Sequence, residues 1–96
     1  MSSLRFEWDE RKNRANRLKH GVAFEEARTA FLDENARFMV DPEHSEDEAR
    51  FLLLGLSIRL RLLVVCHCHR ESDDVIRIIS ARRADPSERR DYARWL

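Results

Sequence analysis

The densest run of chemically capable side chains in this 96-residue chain is Cys66-His67-Cys68-His69-Arg70, followed by Arg77 and then Arg82-Arg83. An imidazole can gain or lose a proton near neutral pH, and guanidinium groups match phosphate oxygens in planar, bidentate fashion. Cutting RNA without a metal requires both kinds of group. One draws the proton from a 2′-hydroxyl, another protonates the leaving oxygen, and fixed cations stabilise the pentacoordinate phosphate. His67 is the candidate general acid or base for such a step. The same run also holds metal-ligand types, but strand alternation sends the two cysteines to one face and the two histidines to the other. Two ligands per face fall short of a closed site unless His20 or His44 joins them, so neither a metal nor a cofactor is assigned. Cys66 and Cys68 read as small core hydrophobes, too close along a strand for an ordinary disulfide, and free thiols suit a cytoplasmic compartment.

Alternation places Arg61, His67 and His69 on one face of their strand and Arg70 on the other. In the next strand it places Arg77 and Arg83 together and Arg82 opposite. Arg77 lies among Ile76, Ile78 and Ile79 and needs either a protein carboxylate or an anionic ligand as partner. Sixteen of the eighteen basic residues are arginine. They balance eighteen acids overall, but residues 1–50 hold nine basic and twelve acidic side chains, and residues 51–96 nine and six. The positive second half suggests an anion-binding face; overall neutrality counts against broad nucleic-acid affinity, and solvated surface charge explains the same pattern. Lys19-His20 is accounted for by dipole compensation at a helix C-terminus. Trp8, Tyr92 and Trp95 could stack on bases, though aromatics at element ends more often edge a core.

These residues need a scaffold, and one small core is all the length and 43% hydrophobic content allow, so residues 1–96 are read as one domain. Phe6-Glu7-Trp8-Asp9 reads as a short edge strand with Asp9 capping a helix over 10–20. Ala15 and Leu18 are expected on that helix's inner face, and Gly21 to stop it. Phe24, Ala27 and Phe31, supported by Ala30, mark a second helix ending at Asp33-Glu34-Asn35. Strands are expected over 36–40, 50–56, 61–69 and 75–81, with an acidic turn at 41–47 and a hairpin loop at 71–74. Asp85-Pro86-Ser87-Glu88 is a capping box with proline at the first helical position, opening a last helix with Tyr92, Trp95 and Leu96 on its apolar side. The expectation is an α+β fold: an antiparallel β-sheet with two N-terminal helices and one C-terminal helix. No apolar stretch reaches membrane-spanning length, and Met1 to Glu10 lacks the apolar core of a secretory signal.

Several separated motifs together resemble one family. Phe6-Glu7-Trp8-Asp9, Lys12, Asn16, Lys19-His20-Gly21-Val22 and Phe24-Glu25 resemble the opening of the BrnT toxins. Asp41, His44-Ser45, Glu48, Arg50, Gly55, Arg61 to Val65, His67, Arg77 to Arg82, Ala84, Glu88 and Tyr92 continue the pattern. The resemblance implies a RelE-like fold and a type II toxin–antitoxin ribonuclease that cleaves RNA and so stops translation and growth. It implies as partner a BrnA-like ribbon-helix-helix antitoxin, in a heterotetramer around an antitoxin dimer, with operator DNA reached only through the antitoxin. Carried over by position, His67, Arg70, Arg77 and Arg82 are the catalytic candidates, and Lys19, His20, Arg61 and Arg83 the RNA-binding ones. This chain departs from the family where Ile58-Arg59-Leu60-Arg61 replaces a turn that often holds glycine, and where His69 replaces a commoner acidic residue. The rival reading is a module without nuclease activity that only holds the antitoxin as co-repressor.

Overall fold

A computed structural model describes residues 4–41, 49–70 and 74–96. Most of the acidic turn after Asp41, His44, and residues 71–73 of the hairpin loop lie outside the described residues. The elements are β1 (Arg5–Glu7), α1 (Glu10–His20), α2 (Phe24–Thr29) continuing into a 3-10 turn (Ala30–Leu32), and β2 (Arg37–Val40). They are followed by β3 (Phe51–Leu56), β4 (Leu62–Arg70), β5 (Val75–Arg83) and α3 (Pro86–Arg94). The strands form one sheet in the order β1-β5-β4-β3-β2, so the long apolar β4 is central. Neighbours from β2 to β5 run antiparallel, but β1 pairs with β5 in parallel. The α+β class is as expected; the sheet is mixed, because β1 leads into a helix instead of a hairpin and joins the far edge from the start of the chain.

The two faces bury separate apolar sets. On one, Val22, Phe24, Ala27 and Ala30 pack on Leu53, Leu63, Val65, Ile78 and Ala81. On the other, Tyr92 and Ala84 pack on Leu54, Leu62 and Val64. Gly55 lets the 3-10 turn settle on β3: a Cβ there would lie 2.9 Å from the Ala30 carbonyl oxygen. The capping box forms as read, with Asp85 accepting from Glu88 N–H and Glu88 accepting from Asp85 N–H. The aromatic end of α3 does not form an apolar side: Tyr92 is buried, but Trp95 and Leu96 are exposed.

Helix α1 overturns a further expectation. Ala15 and Leu18 face solvent, and the buried positions are Asn13 and Asn16. β1 pairs with β5 only along 75–77, so β5 is an open edge at Ala81. The Asn16 amide fills that place, donating to the carbonyls of Ala81 and Val22 (both 2.8 Å) and accepting from Ala81 N–H (3.1 Å). Asn13 likewise accepts from Phe24 N–H at 2.9 Å. The helix is held by amide-to-backbone hydrogen bonds, which a search for apolar periodicity cannot see.

The β3–β4 connection is closed by Ser57 and Arg61, with Leu60 in the left-handed region at φ 61°. Ser57 Oγ accepts from Arg59 N–H (3.2 Å) and donates to Glu26 (2.7 Å). Thus the turn keeps a hairpin shape without the glycine, at the cost of a strained backbone.

Two outcomes follow. Leu60→Gly relieves the strain at an exposed position and should stabilise the protein by about 0.5–1 kcal/mol, raising the thermal midpoint by a few degrees. Asn16→Leu strands buried backbone groups of Val22 and Ala81 and should cost about 2–4 kcal/mol in chemical denaturation.

Candidate functional site

The facing of the β5 arginines depends on one irregularity in that strand. Cys66 pairs with Ser80 and His67 with Ile78, so Ile79 has no partner and the strand carries a bulge. Strict alternation would put Arg77 with Arg83. Instead Arg77 pairs with Cys68 and Arg82 with Val64, which puts Arg77, Arg82 and Arg70 on one face. Arg83 pairs with Leu63 and joins His67 and His69 on the helix-covered face. The expected parity of Arg82 and Arg83 is thereby reversed.

His67 is set apart from all three arginines. It lies on the α1–α2 side, fully buried, against the rings of Phe31 (4.9 Å), Phe38 (5.8 Å) and His69 (5.5 Å). Its Nδ1 lies 3.2 Å from the Val65 carbonyl and donates to it, while Nε2 has no hydrogen-bond partner. Burial, opposed by that hydrogen bond, lowers its pKa to about 4. An imidazole so enclosed cannot reach a phosphodiester on the arginine face. It acts here as a neutral core aromatic, a correction to its expected place beside the arginines.

Two other expected cations are tied to internal carboxylates. Arg82 grips Glu88 with both terminal nitrogens (2.8 and 2.9 Å), pinning the start of α3 to β5. The bond raises the Arg82 pKa and lowers that of Glu88. Arg61 binds Glu26 through Nε (2.8 Å) and Nη2 and also donates to the Gly21 carbonyl (3.1 Å), tying the β3–β4 turn to α2. Glu26 is buried, and Arg61 holds its carboxyl below the ordinary range. Lys19 and Arg83 are exposed and His20 half-buried. Arg61 and Arg70 bracket β4, so they lie about 30 Å apart along the strand. The two expected residue sets therefore do not share one spot.

Arg70 and Arg77 do converge, on a residue that sequence reasoning passed over. Glu7 Oε2 lies 2.9 Å from Arg77 Nη1 and 3.7 Å from Arg70 Nε. None of the three is buried: their side chains are 38%, 32% and 46% exposed for Glu7, Arg77 and Arg70. Arg5 occupies the same face of β1, paired with Val75, which pairs in turn with Arg70. A cleft of about 160 Å³ lined by Arg5, Phe6, Glu7 and Val75 opens beside this group. The available signal was the Arg5–Glu7 alternation, uninterpretable without knowing which strand β1 joins. A carboxylate among guanidinium groups can accept a proton while the cations hold a phosphate. Among the described residues no three His, Cys, Asp or Glu side chains come together as metal ligands. Cys66 and Cys68 are buried and in no disulfide among the described residues, and burial raises the Cys66 thiol pKa.

A mixed five-stranded sheet with three helices and an exposed arginine–carboxylate group defines a small α+β protein equipped to meet an anion. Residues 8–88 match the family described as ribonuclease toxin, BrnT, of type II toxin–antitoxin systems, and the chain belongs to that family. The crystal structure of the Brucella abortus ribonuclease toxin BrnT shares the fold, with a TM-score of 0.64 and 24% identity, covering 86% of this chain and 99% of that one. No curated protein matches. No helix among the described residues is long and apolar enough to cross a membrane.

Burial of neutral His67 has a consequence for acid stability. Its folded pKa lies below the unfolded value near 6.5, so between the two the unfolded chain binds more protons and stability drops as the pH is lowered. The loss should run from about pH 6.5 to about pH 4 and approach about 3 kcal/mol. Urea melts across that range should show it, and a His67→Phe variant should remove most of the dependence.

Proposed function

We propose that this toxin is an endoribonuclease whose reaction face is the Arg5–Glu7–Arg70–Arg77 group. Glu7 accepts the proton of a 2′-hydroxyl, whose oxygen bonds to the adjacent phosphorus as the P–O5′ bond breaks; one fragment ends in a 2′,3′-cyclic phosphate, and the departing 5′-oxygen takes its proton from water. Arg70 and Arg77 bind the phosphate and stabilise the charge that builds on it, a task that guanidinium groups perform without a metal. One observation carries the reading: two guanidinium groups from neighbouring strands meet one accessible carboxylate. Substrate phosphate can compete for those cations and leave Glu7 as the base. Arg82 and Arg61 support the scaffold, and His67 supports the core.

Family membership supplies the partner: a type II toxin is held inactive by an antitoxin protein. We assign that role to a ribbon-helix-helix, BrnA-like protein whose dimer carries two toxin chains and reads operator DNA. The site of action is the cytoplasm, where RNA and the antitoxin are made.

Glu7→Gln keeps the shape and removes the base. It should lower RNA cleavage by about 100-fold or more and relieve growth arrest, with the thermal midpoint nearly unchanged. His67→Phe should cleave at close to the parent rate as long as it folds. Equal cleavage by Glu7→Gln and the parent chain would overturn the assignment. A parent chain that neither cuts RNA nor arrests growth, yet binds its antitoxin, would point to the co-repressor reading.

A further inference from the structure

The outward face of α1 carries a charge pattern that the helix's own energetics do not explain. Arg11, Lys12, Arg14, Arg17 and Lys19 are all exposed, and none lies within ion-pair distance of a carboxylate among the described residues; Asp9 senses the charge of Lys12 and Arg11, and Glu25 that of Arg17, only at longer range. The sheet arginines named above differ in this: Arg61, Arg77 and Arg82 each hold a carboxylate. Arg17, Lys19 and His20 favour the negative C-terminal end of the helix dipole. Arg11 and Lys12 stand in its first turn, where a positive charge is unfavourable. The row Arg11–Arg14–Arg17, spaced three residues apart, places like-charged side chains on one face with Cβ atoms about 5–6 Å apart, which also costs the helix stability. The buried face has no apolar stripe to require this helix, only the asparagines that fix it to Phe24, Val22 and Ala81. Such a helix is rigidly mounted and adversely charged, as expected when its charges meet an external polyanion.

We infer that the exposed arginine row of α1, Arg11, Arg14 and Arg17 with Lys12 and Lys19 beside it, is a binding surface for the RNA phosphate backbone. This rests on the ribonuclease reading above and extends it. α1 begins three residues after Glu7, so a short segment joins its first turn to the strand that carries the proposed reaction face, which opens on the α3 side of the sheet. Phosphate contacts along the row give affinity without sequence preference, and the exposed Leu18 between them offers an apolar surface for a base or sugar.

The test compares the parent chain with an Arg11→Gln, Arg14→Gln, Arg17→Gln triple variant. Glutamine keeps helix propensity close to that of arginine, and an unchanged thermal midpoint confirms folding. Binding is read by fluorescence anisotropy on a labelled single-stranded RNA with 2′-O-methyl riboses, which resist 2′-hydroxyl attack. The variant should bind at least tenfold more weakly at low salt. The slope of log affinity against log salt should flatten by about 2, three contacts at about 0.7 each. Cleavage of unmodified RNA should fall at low RNA concentration and recover at saturation. Unchanged affinity and slope in the variant overturn the inference and leave the nuclease reading intact. Loss of antitoxin binding with RNA binding retained also overturns it, assigning the row to an acidic protein segment. A parent chain that neither binds nor cuts RNA overturns both.

Discussion

A single unpaired residue, Ile79, decides which chemistry this sheet can present. Side chains alternate along a strand, so one inserted residue inverts the facing of everything beyond it. Before the bulge Arg77 faces Glu7; after it Arg82 faces α3, on the same side of the sheet. Without it, one of these two arginines would enter the core under α1 and α2. There an unpaired guanidinium could persist only with a buried partner. The bulge also leaves Ala81 facing the Val65 side, where its backbone meets the Asn16 amide.

Three glutamates divide the arginines by task. Glu26 is buried and joins Arg61, Ser57 and α2, a closed network in which loss of one partner would leave a charge without compensation. Glu88 is shared between the α3 cap and Arg82, so helix start and strand end are fixed by one carboxylate. Glu7 differs in being the most exposed of the three carboxylates, at 38% against 22% for Glu88 and 6% for Glu26. An exposed pair is worth little to stability, which frees this group to exchange its internal contacts for a ligand. Accessibility, more than residue type, separates the proposed reaction face from the struts.

Much of the scaffold was legible because its signals are local. The Asp85–Glu88 box, Gly21 as helix stop, and the apolar spacing of Phe24, Ala27 and Ala30 need no knowledge of distant residues. The first helix was found, but its inner face was misread, since Ala15 and Leu18 are its only apolar side chains and both are exposed. Asn13 and Asn16 gain their role from backbone groups up to 65 positions away. His67 carries the residue type of a proton shuttle, yet Phe31, Phe38 and Phe51 from other elements make its surroundings apolar.

Local patterns along the chain are enough for the α+β element order, the capped last helix and the likeness to a toxin family. Those properties follow from composition, period and capping, which act over a few residues. Which charges meet is settled by strand pairing across the fold. The parallel joining of β1 to β5 carries Glu7 to Arg77 across 70 positions, and the bulge at Ile79 turns Arg82 away from α1 and α2 and toward α3. Both depend on strand pairing, and pairing is set by how the whole sheet packs its two faces.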